Sequence, residues 1–299
     1  AEGSVRWSSH PTHDGLEKIL YTIANPGHGP LSERTTSGAR RAPHLIGMGL
    51  LDAVPDATLH MLADPDDIDQ DGISGRVHEV WDVATGTHRP GRFGWKALHS
   101  SLLQQSAGAF SEDMGLTSSL FPRAICTVSQ PGCLREEEHA PDVSQSALEA
   151  VDRFLASLGV PERDIRDLEK FDAGRAHFHD LGCATCHTPS LTTAPDTTPA
   201  LFADQIFWPY TDLLLHDMGD DLADIPELGA SASEWRTPPL WGLRFIAAQP
   251  DGRFLHDGRA RNLDEAILWH GGEALMTRDR YKNLSTAQRD ELIAFLLGI

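Results

Sequence analysis

The sequence predicts a mainly α-helical protein with little strand, on three observations. Apolar residues recur at helical spacing after residue 142, most of these stretches being opened by a capping pair. The first 140 residues are rich in turn signals and leave room only for short helices. A cysteine motif follows directly on one of the later helices. At 299 residues the chain suits one large domain or two of about 150 residues. We expect a division near residue 160, with a loop-rich, mostly helical region over 1–160 and a second domain over 161–299.

In chain order, "NPGHGP" at 25–30, "RRAPHLIG" at 40–47 and "GTHRPGRFGW" at 86–95 punctuate the first region, with short helices expected over 55–63 and 98–110. From 142 to 159, Asp142 and Gln145 form a capping pair, Val143, Leu148, Val151, Phe154 and Leu155 share a face, and Gly159 with Pro161 ends the helix. The stretch 166–182 places Leu168, Phe171, Phe178 and Leu181 at helix-compatible spacing and delivers the chain into the cysteine motif. Two more helices are expected over 262–270, opened by Asn262 and Glu265, and over 285–298, opened by Ser285 and Gln288.

Charge excludes some functions. With 44 acidic against 25 basic residues the formal net charge is −19, which repels nucleic acid and anionic lipid, so no nucleic-acid partner is expected. No stretch is apolar for long enough to span a membrane. The opening "AEGSVRW" has no basic-then-apolar leader and reads as a mature form or a fragment.

The four cysteines fall into two pairs. Cys126 and Cys133 flank a proline- and glycine-containing loop that can bring their sulfurs together as a disulfide, the alternative being two free thiols; zinc is a poorer reading, with His139 the one extra ligand nearby. Cys183, Ala184, Thr185, Cys186 and His187 fit the pattern of c-type haem attachment. Two residues between the cysteines set both sulfurs toward one porphyrin edge, and the next histidine can place its imidazole under the iron. A redox dithiol, a zinc site and chance are the competing readings. Haem of this kind and a disulfide both point to the periplasm. Pro189 or a carbonyl near it is expected to accept the His187 Nδ1–H.

The sixth iron ligand decides between electron transfer and peroxide chemistry. Met218 is the preferred candidate, with His216, Met276, His256, His270 or an open position as alternatives; His177 and His179 read as surface or satisfied core histidines. A second metal signal lies in "DPDDIDQDGISGRVHEVWD" at 64–82, where Asp67, Asp69, Asp71 and Gly72 resemble half of a Ca2+ loop. His78 stands where such a loop has its closing glutamate, so Glu79 or Asp82 would have to close it; the alternative is a solvated acidic turn.

The succession "RAPHLIGMGLLDAVP", "DPDDIDQDGISGR", "GRFGWKA", "GCATCHTPSL", "YTDLLLHDMG", "EWRTPPLWGL" and "FLHDGRARNLDEAILWHGGEA" resembles the bacterial di-haem oxidoreductases, relatives of the di-haem cytochrome c peroxidases. The resemblance implies an α-rich periplasmic protein with a cytochrome c-like haem domain over 161–299 and an oxidoreductase, peroxidase-like activity. It implies haem c on Cys183 and Cys186, His187 as proximal and Met218 as distal ligand, and a catalytic contribution from His256 and Arg259 near the haem edge. Members carry a second Cys-x-x-Cys-His that this chain lacks, so it is expected to be part of a longer polypeptide or a mono-haem member. The rival reading is a non-catalytic c-type cytochrome; either exchanges electrons with a partner protein or a small molecule.

Overall fold

The computed structural model describes residues 3–12, 15–27, 29–126 and 140–299. The chain opens as a hairpin of β1 (Ser4–Pro11) and β2 (Glu17–Ala24), antiparallel with Trp7 opposite Tyr21. Two short helices follow, α1 (Met48–Asp52) and α2 (Asp56–Leu62), then a second hairpin of β3 (Glu79–Asp82) and β4 (Thr87–Pro90). Next come α3 (Leu102–Glu112), α4 (Gln145–Ala156) and α5 (Leu168–Asp180). Four short strands build two more antiparallel pairs: β5 (Leu191–Thr192) with β6 (Ile206–Phe207), and β7 (Leu215–Asp217) with β8 (Glu234–Arg236). The chain closes with α6 (Leu243–Ala247), α7 (Leu263–Leu268), α8 (Leu275–Lys282) and α9 (Thr286–Gly298).

This corrects the expected fold class. Helix accounts for 33% and strand for 15%, in four small antiparallel sheets, so the protein is not clearly mainly α, and a cytochrome c-like fold is not established. The physical reason is strand length and partner distance. β5 to β8 are two or three residues long and pair across long intervening segments, so no alternating pattern marks them. The β1–β2 hairpin does have strand-like composition, in "EKILYTIA", but its exposed apolar residues give no clean alternation.

The capping chemistry is partly as expected. Ser285 and Gln288 form a complete box at α9, and Asn262 Oδ1 accepts the Glu265 N–H at 2.8 Å to open α7. The helix expected from 142 starts later: Ser144 caps α4, because the Asp142 carboxylate is taken by the Thr117 N–H at 2.9 Å and hydroxyl at 2.8 Å. The expected Cys126–Cys133 pairing reaches into residues 127–139, outside the described residues, as does His139.

Two apolar clusters position the site. One joins Phe171 and Phe178 of α5 to Phe295 of α9, with ring centroids 5.1 and 5.3 Å apart, and continues into Tyr210, Trp235 and Trp269. The helices approach this closely because Gly174 has no side chain: a Cβ there would lie 2.0 Å from Glu291 O. The other cluster packs Met48, Leu51, Leu59 and Phe93 against Leu191, Leu213 and Trp241, so one core runs across residue 160. No described helix is long and apolar enough to cross a membrane.

Candidate redox-cofactor site

α5 ends at Asp180, Gly182 turns the backbone, and a single 3-10 turn over Cys183–Thr185 carries the cysteines. His187 N–H bonds back to Cys183 O at 3.0 Å, closing the motif on itself. The segment 210–212 then clamps it from outside. Asp212 N–H reaches Cys186 O at 3.1 Å, Thr211 N–H reaches Thr188 O at 3.0 Å, and the His187 Nδ1–H donates to Tyr210 O at 2.9 Å. The acceptor sought near Pro189 is therefore a carbonyl 23 residues beyond the histidine. Phe178 packs edge-on against Tyr210 at 5.7 Å and lies 6.3 Å from the His187 ring, so the α5–α9 core braces the imidazole.

Cys183, Cys186 and His187 line a mostly apolar cavity of about 670 Å³, in the range of cofactor sites. Cys183 and Cys186 form no disulfide with each other, and burial raises both thiols, Cys183 to about 12. A reactive dithiol needs the opposite shift, so this environment does not suit disulfide exchange. Burial lowers His187 to about 4, which keeps the imidazole neutral and leaves the Nε2 lone pair free.

The cavity holds a second imidazole in the same condition. His270, after the end of α7, donates its Nδ1–H to Ala266 O at 2.7 Å, lines the cavity and is held low by burial. Met218 also lines it, from the end of β7. Met218 and His270 belong to neighbouring backbones, because Gly272 lets the segments meet: a Cβ there would stand 2.2 Å from Asp217 O.

His216 is arranged for a different task. Its Nδ1 lies 2.8 Å from Glu273 and its Nε2 2.8 Å from Asp212, with Cys186 Sγ 3.5 Å from Nδ1. Burial alone would depress it, but these hydrogen bonds win and raise it to about 12, making it a charged ring with both N–H groups committed. It has no lone pair for iron. Met276 lies on α8, exposed, with its sulfur 3.2 Å from Arg280 Nη2.

His256 lines the cavity, stacked on Trp235 at 3.7 Å, and is lowered to about 3 by burial and by Arg259, Arg40 and Lys96. Arg259 is spent structurally, paired with Asp257 at 2.9 Å, bonded to Asp221 O and lying over Trp269. His177 pairs with Glu291 at 2.9 Å.

In the acidic loop the structure gathers Asp64, Asp67 and Asp69, with carboxylate oxygens within 4.8 Å of one another; Asp71 is not in the group and accepts the Ile73 N–H at 2.8 Å. The candidate closing residues are engaged elsewhere. His78 sits between Lys96 O at 2.8 Å and Leu228 O at 2.9 Å, Glu79 faces His60 at 3.3 Å, and Asp82 accepts the Ser100 hydroxyl at 2.8 Å. Ser74, just past the loop, gives its N–H and hydroxyl to Glu273, tying the loop to His216. Sequence reasoning missed Asp212, Glu273, Tyr210 and Arg236: Glu273, Tyr210 and Arg236 act through partners far along the chain that no local spacing marks, whereas Asp212 meets His216 only four residues on, a spacing that the sequence did carry.

Paired cysteines, neutral imidazoles and an apolar cavity make a site suited to a redox cofactor. The chain belongs to the di-haem oxidoreductase family: residues 30–299 match the family model described as "Di-haem oxidoreductase, putative peroxidase". No curated protein matches. Among solved structures the chain is similar to Kuenenia stuttgartiensis hydrazine synthase, at 19% identity and a TM-score of 0.34 over 57% of this chain and 59% of that one.

Proposed function

We propose that this chain is a periplasmic c-type haem oxidoreductase that passes single electrons, with one haem c bonded through thioethers to Cys183 and Cys186 and its iron held by His187 and His270. One observation carries the reading: two neutral imidazoles, each with Nδ1–H tied to a carbonyl and Nε2 unengaged among the described residues, line the same cavity as the two cysteines. An Nδ1–H···O=C contact is the usual way a protein fixes a metal-ligating histidine. When bound, the haem would supply one-electron redox chemistry, and with both His187 and His270 holding it the site would favour electron transfer over direct attack on peroxide.

The chain's own groups do the rest. Tyr210 O and Ala266 O aim the imidazoles, while Phe178, Phe254 and Leu296 keep water from the cavity wall. At about 3, His256 is too weak a base to take a proton near neutral pH, so it acts at the cavity as a neutral ring stacked on Trp235. The peroxidase-like activity in the family's name then needs a second reactive site, with a partner protein or a small molecule exchanging electrons with this haem.

A second reading has its own observation, since Met218 lines the same cavity and would make a His–Met iron. Intact mass with visible and near-infrared spectra of the purified chain tests both. Haem-sized added mass and low-spin bands without a methionine charge-transfer band are expected; that band would transfer the sixth position to Met218, and a bare polypeptide mass would overturn the haem itself. For the Asp64–Asp67–Asp69 loop we propose Ca2+ as a brace. Excess calcium should raise the unfolding midpoint, and equal midpoints in calcium and chelator would leave a solvated acidic turn.

A further inference from the structure

The cavity has an unexpected charge balance for a chain of net charge −19. Five arginines line it, Arg41, Arg92, Arg236, Arg253 and Arg278, against one carboxylate, Asp113. Arg92 is paired with Asp56 at 2.6 Å and Arg278 with Asp279 at 3.2 Å. Arg236 is the outlier. It is 4% exposed, yet its hydrogen-bond partners among the described residues are backbone carbonyls and none is a carboxylate. Its Nε donates to Gly94 O at 2.8 Å and its Nη1 to Thr237 O at 3.0 Å, while Nη2 makes no hydrogen bond to the described protein. Asp212, the carboxylate whose charge reaches it, is already bonded to His216 and the Leu214 N–H, and burial pulls the guanidinium down to about 10. Burying a cation that is not directly paired with a carboxylate is costly, and the carbonyl dipoles and the Asp212 charge offset only part of that cost.

We propose that Arg236 seats a carboxylate of the ligand that fills the cavity, a haem propionate; this rests on the haem reading above. A guanidinium fixed at Nε and Nη1 by β8 and its neighbours presents the remaining N–H groups in a set direction, which suits a carboxylate better than a mobile ammonium would. Arg41 and Arg253, which line the same cavity and make no ion pair among the described residues, leave cationic character for the second propionate.

The test compares Arg236→Leu and Arg236→Lys with the parent chain by intact mass, absorbance and midpoint potential. A cation beside the haem favours the added electron. With haem retained, Arg236→Leu should therefore shift the reduction equilibrium toward the ferric form by about tenfold or more, and Arg236→Lys should recover most of it. A haem-loaded Arg236→Leu protein with the parent's potential overturns the proposal. A parent that carries no haem mass overturns the haem reading itself, which is a separate result. Should Arg236→Leu fail to fold, infrared spectra of the parent with 13C-carboxyl-labelled haem decide: one propionate stretch displaced from the solvated position supports the seat, and two solvent-like propionates refute it.

Discussion

A histidine ligates iron through a neutral nitrogen, so burial matters here as much as position. His187 and His270 are both lowered by desolvation and both spend Nδ1–H on a carbonyl, whereas His216, equally buried, is driven the other way by two carboxylates. The contrast yields a spectroscopic prediction. His270→Ala should leave the haem mass unchanged and convert the low-spin spectrum to high-spin, with added imidazole restoring it; Met218→Ala should keep the parent spectrum. The reverse pattern would give the sixth position to Met218. The Asp212–His216–Glu273 group yields a stability prediction whose sign follows from linkage. The raised His216 contributes stability that is complete below its unfolded value near 6.5 and is lost as pH climbs toward about 12; the lowered Glu273 contributes stability that is complete above its unfolded value near 4.5 and is lost in acid. Denaturant unfolding from pH 5 to 10 should therefore show a loss of stability on the alkaline side that His216→Gln abolishes. Parallel pH profiles for the two proteins would show that the ring is not charged in the fold.

At the scale of elements, the site depends on how tightly α5 and α9 meet, because Phe178, at the seam, packs against both Tyr210 and His187. Gly174 sets that distance, its missing Cβ leaving room for the Glu291 carbonyl. Gly174→Ala must push the helices apart, with an expected loss of about 1–3 kcal/mol in denaturant unfolding, the usual range for overpacking a close contact. Phe178→Ala acts from the opposite side. It leaves a cavity where the side chain is 2% exposed, for about 3–5 kcal/mol, and it loosens His187. If the two variants instead unfold like the parent, the α5–α9 seam does not hold the motif. The β7–β8 pair works in parallel, since Leu215 opposite Arg236 brings the Met218 strand beside the buried guanidinium.

Across the whole molecule, what the sequence made legible follows from the range of the interactions. Ser285 with Gln288, Asn262 with Glu265 and the turn around Cys183 to His187 act over a few residues, and their structures match the reading. Tyr210 under His187 and Glu273 beside His216 act across 23 and 57 residues, and β5–β6 and β7–β8 pair strands of two or three residues across intervening segments, so local pattern is blind to them. Asp71 shows the same limit inside a motif, since its carboxylate is satisfied by the nearest backbone N–H and Asp64 takes its place in the group. Net charge, by contrast, needs no fold to be read, and it governs encounter. At low salt the Debye length is about 30 Å, so an approaching reagent feels the −19 of the whole chain, while the cavity arginines act only at close range. Reduction of the haem-loaded protein by a small cationic complex should therefore slow by about tenfold or more as ionic strength rises from about 0.01 to 1 M, and reduction by an anionic one should quicken. Stopped-flow absorbance measures both. If the cationic reagent instead gains speed with salt, the arginines at the cavity set the field that a redox partner meets, and the partner's docking face is acidic rather than basic.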